Sequence, residues 1–134
     1  MLENCFAWKR GAPVSKFILR ELPSGIKFDL TAANGQRILT SEIYTSRAAA
    51  CKGMASVRLI AAQAGVENQT EGDHISLAHP KFEMYRDKAG AYRFRLKARN
   101  GKIVGVSEGY SSKTACLNGI DSVKTNAPEA DIEE

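Results

Sequence analysis

Between Ile26 and Ala33 the side chains alternate. Ile26, Phe28, Leu30 and Ala32 fall on one side, and Lys27, Asp29, Thr31 and Ala33 on the other. A period of two predicts a strand with one buried face. Ser15 to Leu22 reads as the strand before it, joined through the turn signal Pro23-Ser24-Gly25. Asn34-Gly35 ends the alternating run, and Gln36 to Ser41 is the returning strand. Asn-Gly between two such runs predicts a type I′ hairpin, because both residues tolerate positive φ. The period then changes. Ala50, Met54 and Val57 form an i, i+4, i+7 stripe, which predicts a helix from about Ser46 to Ala62. Thr45 or Ser46 is its expected N-cap. Gly65 closes the helix, and Val66 to Asn68 reads as a short final strand.

The same pattern returns after a polar stretch, Gln69 to Pro80. Phe82 and Met84 alternate with Glu83 and Tyr85, Asp87 to Gly90 is a turn, and Ala91 to Ala98 is a second strand. Asn100-Gly101 is the hairpin and Lys102 to Ser107 the third strand. Ser111 or Ser112 caps a helix striped by Cys116, Ile120 and Val123, which Asn126-Ala127-Pro128 stops. Ala130 to Ile132 reads as a last strand. Sixty-six residues separate Asn34-Gly35 from Asn100-Gly101, Ser41-Glu42 from Ser107-Glu108, Tyr44 from Tyr110, and Gly53 from Gly119. The chain is one unit written twice. The expected division is an extension at 1–14, a first repeat at 15–68, a linker at 69–80 and a second repeat at 81–134. A glycine inside a helix costs about 1 kcal/mol relative to alanine. Its appearance in both helices predicts a close approach of helix to sheet. Arg58 and Lys124 fall where each helix dipole favours a cation.

Composition alters this picture in a few respects. A single unit would be marginal alone, whereas two packed together bury enough surface. The 134 residues contain no run approaching the ~20 apolar residues of a spanning helix. Met1 to Pro13 lacks the apolar core of a secretory signal. The expectation is a cytoplasmic monomer of two packed repeats, away from the membrane, with a loosely docked N-terminal extension. The cysteines, Cys5, Cys51 and Cys116, are odd in number and form no C-x-x-C pair, which argues against a disulfide framework or a zinc site. They are expected as reduced thiols, Cys5 the most exposed. A net charge of +4 permits an anionic partner without requiring one.

Phe-x-Leu-x-Ala-x-Asn-Gly, at Phe28 to Gly35 and Phe94 to Gly101, is followed by Ser-Glu-x-Tyr-x-Ser, at Ser41 to Ser46 and Ser107 to Ser112. Gly-x-x-Ser-Val with a basic residue closes each copy, at Gly53 to Arg58 and Gly119 to Lys124. This order resembles the YegP-like family of small bacterial and archaeal proteins, whose domain has no known function. The resemblance implies an α+β fold of tandem β3-α-β repeats. They would form one antiparallel sheet with two helices on one face and the C-terminal strands exchanged between repeats. It implies no activity, catalytic residue or cofactor.

The sharpest candidate chemistry is a cationic ladder. Arg93, Arg95, Lys97 and Arg99 alternate with Tyr92, Phe94, Leu96 and Ala98, so one sheet face presents four cations. Such a row can follow phosphates, and Tyr85 on the neighbouring strand offers a stacking surface, as nucleic-acid binding would need. The alternative is a solvated face. The first repeat has Lys27, Asp29, Thr31 and Ala33 there instead. Ser41, Glu42 and Tyr44, with Ser107, Glu108 and Tyr110, read as a structural corner, each Glu meeting backbone N–H groups or the other repeat's cations. Either Glu could be a general acid or base only beside a suitable partner, and no histidine lies within the repeats. His74 and His79 read as solvated linker residues. There is no nucleophile elbow, P-loop or dinucleotide fingerprint. The expected protein is a non-enzymatic binding or interaction module without metal or cofactor, its partner unknown. Polyanion binding through the ladder is the alternative.

Overall fold

In a computed structural model, residues 14–133 are described. The expected N-terminal extension lies almost wholly outside them. β1 (Lys16–Leu22), β2 (Gly25–Thr31) and β3 (Arg37–Thr40) lead to α1 (Arg47–Ile60) and β4 (Gly65–Asn68). β5 (Lys81–Arg86), β6 (Tyr92–Lys97) and β7 (Ile103–Val106) lead to α2 (Lys113–Asn126), a 3-10 turn (Ala127–Glu129) and β8 (Asp131–Glu133).

All eight strands form one sheet in the order β4-β5-β6-β7-β3-β2-β1-β8. The sheet is mixed rather than antiparallel, which corrects the sequence expectation. β4 runs parallel to β5, and β8 parallel to β1. Hairpin neighbours must be antiparallel, but β4 and β8 reach their places through a helix, and a connection of that length permits parallel pairing. At the centre Thr40 of β3 pairs with Val106 of β7. These positions are equivalent in the two halves, so the seam lies on an approximate twofold axis. Beside it, equivalent residues differ. A Cβ on Gly105 would stand 2.6 Å from Leu39 Cγ. Leu39 fills the space that its counterpart Gly105 leaves.

Both helices cover the same face, and each spans the seam. α1 packs on β2 and β7, and α2 on β6 and β3. Phe17, Phe28, Phe82 and Phe94 are fully buried beneath them, as edge-to-face pairs with centroids 5.7 and 5.8 Å apart. Each such burial contributes roughly 1.5–3 kcal/mol. The predicted stripes are all buried: Ala50, Met54 and Val57, and Cys116, Ile120 and Val123. Ser46 and Ser112 cap as expected, accepting from the Ala49 and Ala115 amides.

The helical glycines have a specific cause. A Cβ on Gly53 would lie 2.3 Å from Tyr44 Oη and 3.1 Å from Phe28. On Gly119 it would lie 2.4 Å from Tyr110 Oη and 3.1 Å from Phe94. The corner tyrosine of each repeat thus lies stacked on a core phenylalanine, directly under the helix.

Arg58 and Lys124 do more than meet a helix dipole. Arg58 donates to the Ala130 carbonyl at 2.6 Å and lies over the Phe17 ring. Lys124 donates to the Ala64 carbonyl at 2.7 Å and lies over Phe82. Each helix is tied in this way to the stretch leading into an edge strand of the opposite half.

The hairpins also differ from expectation. Gly35 and Gly101 have φ of +85° and +83°, but among the described residues no non-glycine residue has positive φ, which excludes type I′. The Ala32 amide donates to the Gln36 carbonyl and the Gly35 amide to the Ala32 carbonyl; Ala98, Lys102 and Gly101 repeat this. These are three-residue loops with glycine in the left-handed position, and the pairing register shifts beside each. Asn34 and Asn100 serve through their side chains, accepting from the Gln36 and Lys102 amides.

Candidate functional site

The Ser-Glu-x-Tyr corner is built from backbone and side chain together. The Ser41 hydroxyl accepts from the Phe28 amide at 2.9 Å and donates to the Glu42 carbonyl at 2.7 Å. Ser107 does the same with Phe94 and Glu108. Both serines are buried. Each hydroxyl therefore stands in for a strand hydrogen bond where the chain turns away from the sheet. Glu108 reaches across the seam to Arg37 of the first half at 3.0 Å, whereas Glu42 is exposed. Tyr44 and Tyr110 have their pKa raised, first by burial and then by the neighbouring Glu42 and, after Cys116, Glu108.

The face away from the helices carries the charged residues. Arg93, Arg95 and Lys97 lie in a row on β6, half-buried, and Arg99 is exposed beyond the strand end. Tyr85 on β5 stands opposite Arg93, and the Arg95 guanidinium lies over its ring, 4.5 Å from the centroid. The row is not a bare cationic ladder. Arg95 pairs with Glu83 at 2.6 Å, and Lys97 pairs with it at 3.2 Å. Arg93 pairs with Asp87, which holds the Asp87 carboxyl below its usual range. Arg99 donates to Gln63 at 3.2 Å. The missing signal was register. The tight turn at 87–90 sets Glu83 directly across from Arg95.

Beneath the row is a buried ionic cluster. Lys81, Glu67 and Glu83 are 7%, 2% and 3% exposed. Parallel pairing of β4 with β5 places Glu67 beside Glu83. The Lys81 ammonium sits between them, 2.7 Å from Glu67 and 3.1 Å from Glu83. Glu67 also accepts from Gln69 at 2.6 Å and from the Leu77 amide at 2.7 Å, so the linker folds back on the cluster. Hydrogen bonds from Gln69, Lys81 and the Leu77 amide bring the Glu67 pKa down to about 2. For Glu83 burial pushes upward, but hydrogen bonds from Arg95, Lys81 and Lys97 prevail and lower it. The Lys81 pKa is raised by its hydrogen bond to Glu67, against the effect of burial. The first half keeps only a remnant. Lys16 pairs with Glu133 at 3.0 Å with both side chains more than a third exposed, and Ile18 stands where the second half has Glu83.

A pH dependence follows. The Glu67 carboxyl is depressed in the folded chain, from 4.5 to about 2. Its contribution to stability is complete above 4.5 and is lost as pH falls toward 2. Thermal melting by circular dichroism should show Tm falling through that window, and Glu67→Gln should flatten this part of the curve. An equally steep acid decline in the variant would contradict the assignment.

On the first half of the same face Asp29 is 6% exposed. It accepts from Thr40 at 2.6 Å and pairs with Arg20 at 2.8 Å and Arg37 at 3.6 Å. His74 shares a hydrogen bond with the Glu71 carbonyl at 3.0 Å, and its ring stands 3.8 Å from the Glu67 carboxylate. Among the described residues no group of three or more His, Cys, Asp or Glu is placed to hold a metal. No described helix is long and apolar enough to cross a membrane. Cys116 is a free, buried thiol whose pKa burial pushes up to about 11. Cys51 is disulfide-bonded, against the expectation of reduced thiols throughout.

A mixed eight-stranded sheet under two helices, with sequence-related halves, defines an α+β protein of repeated units. The chain belongs to the family described as Domain of unknown function (DUF1508), whose model matches residues 25–68 and 87–134. It is 36% identical to UPF0339 protein PA0329 of Pseudomonas aeruginosa over 121 residues, 90% of this chain and 96% of that one. A shorter UPF0339 protein from Methanosarcina acetivorans is 62% identical over 52 residues, 39% of this chain and 90% of the relative. The solution NMR structure of the protein of unknown function yegP from E. coli superposes with a TM-score of 0.74 at 33% identity, covering 90% of this chain and 91% of that one. The expected YegP-like membership is thereby established, and the family is uncharacterised.

Proposed function

We propose that the chain is a non-enzymatic interaction module and that its working surface is the open face of the sheet. The observation that carries this reading is the ion-paired row across that face. Arg20, Asp29 and Arg37 from the first half meet Glu108 from the second, and Glu83, Arg95 and Lys97 continue beyond. Paired and half-buried charges are held in fixed positions, which suits recognition of a partner with complementary charges of both signs. β4 and β8, each paired with a strand of the other half, read as exchanged strands that make both repeats one rigid platform. The reading is tested with a photo-crosslinking residue at Lys27 on the open face or at exposed Lys52 on α1, in cells. Discrete adducts from position 27 and none from 52 are expected. The reverse pattern would place the working surface on the helices.

The second reading, polyanion binding, rests on the stacked Arg95–Tyr85 pair. Carboxylates beside three of the four ladder cations oppose it. Wild-type protein should leave heparin at low salt, and a single-stranded oligonucleotide should show little shift. Glu83→Gln, which frees Arg95 and Lys97, should raise retention and steepen its salt dependence. Strong, salt-sensitive binding by the wild type would favour the polyanion reading.

A further inference from the structure

On the open face of the first half, β1 and β2 border a pocket of about 290 Å³. Val14, Ile18, Ala32 and Ala33 give it an apolar lining, and Lys16 and Thr31 supply its polar groups. The second half shows what stands at the corresponding place. Lys16, Ile18, Thr31 and Glu133 are the counterparts of Lys81, Glu83, Lys97 and Glu67, because β1 pairs with β2 and β8 as β5 pairs with β6 and β4. In the second half the Glu83 carboxylate lies among Lys81, Arg95 and Lys97, at 3.1, 2.6 and 3.2 Å. In the first half Ile18 replaces that carboxylate with an apolar group. Lys16 pairs with Glu133 at 3.0 Å, and its side chain is 39% exposed, whereas Lys81 is buried. The Thr31 hydroxyl donates to the Lys16 carbonyl over a long 3.4 Å. Asp29 stands across from Ile18, but its carboxylate is turned to Thr40, Arg20 and Arg37. The cover differs as well. His79 of the linker lies against Gly101, its Cε1 3.6 Å from the place of a Cβ. Among the described residues nothing lies within 4 Å of that place on Gly35.

We propose that this pocket binds a small branched-chain carboxylate, whose head takes the position that the Glu83 carboxylate holds in the other half and whose tail lies on Ile18, Ala32 and Ala33. The head accepts from the Lys16 ammonium and the Thr31 hydroxyl. Lys16 then bridges two carboxylates, the ligand's and that of Glu133, as Lys81 bridges Glu83 and Glu67. Hydrogen bonds to an ionised acceptor are about twice as strong as neutral ones, so the site selects an acid over its amide. The volume lies at the lower end of the range for small-molecule sites, which fits a tail of a few carbons. The pocket opens on the sheet face, but its use does not require that face to meet a macromolecular partner.

The test titrates isovalerate into the isotope-labelled full chain at neutral pH, with sodium chloride at matched ionic strength as the control. Amide resonances of Thr31, Ala32, Ala33 and Gly35 should shift and saturate. Those of Lys97, Ala98, Arg99 and Gly101, the counterparts under the linker, should stay in place. Isovaleramide has the same shape without the charge, and it should bind about tenfold more weakly or less well still, as should isovalerate to Lys16→Met. Ile18→Glu restores the arrangement of the second half and should abolish binding with the fold retained. Equal affinity for acid and amide, or an unchanged affinity in Lys16→Met, would overturn the carboxylate assignment. The absence of saturable shifts in the wild type would overturn the site itself, whatever crosslinking finds on the open face.

Discussion

Replacing Lys81 with methionine should destabilise the protein by about 3–5 kcal/mol, the cost of breaking a buried ionic group by removing one partner. The ammonium lies between Glu67 and Glu83, both almost fully buried. Methionine fills similar volume but leaves two carboxylates facing each other on adjacent strands. Gln69, the Leu77 amide, Arg95 and Lys97 would still hold them, so the chain should fold, with the 69–80 linker loosened. The molecule supplies its own control. Lys16 is the equivalent residue of the first half, and its pair with Glu133 is more than a third exposed on both sides. Lys16→Met should cost no more than about 1 kcal/mol. Urea denaturation of the two variants measures the difference. Equal losses would mean that burial of the cluster does not govern its energetics.

Gly119→Ala should also destabilise, although alanine is the better helix former by about 1 kcal/mol. The new methyl would lie 2.4 Å from Tyr110 Oη and 2.7 Å from Cζ. The ring cannot retreat freely, because it is stacked on Phe94 with centroids 6.3 Å apart. Overpacking of this kind costs about 1–3 kcal/mol and should outweigh the helical gain. Tyr110→Ala alone loses packing, but the double variant removes the collision. The two changes should therefore combine to less than the sum of their separate losses. Gly53 and Tyr44 provide an independent repetition in the first half. Strict additivity in both halves would show that tyrosine and glycine are not coupled.

The sequence legible at the outset was that of the repeated unit. Alternation at 26–33, the stripe through Ala50, Met54 and Val57, and the serine caps depend on neighbours within a few residues, where periodicity and capping act. The partner of each helical glycine was not legible, since Tyr44 and Gly53 meet only when the corner folds under the helix. The candidate site was read from one strand. The alternating cations described its face correctly, but Glu83 on the neighbouring strand pairs with two of them, and Glu67 arrives from a strand that belongs to the other half of the chain.

By itself the sequence determined the strands, helices, caps and their duplication, because these follow from local spacing and are stated twice. Tertiary structure decided the order of the strands and the parallel edges. It set Leu39 against Gly105 at the seam, and it turned an apparent cationic ladder into a clamped ionic row. The physical reason is that charge and packing depend on distance in space. Strand pairing brings Lys81 within hydrogen-bonding distance of Glu67, a separation that fourteen residues of chain do not reveal.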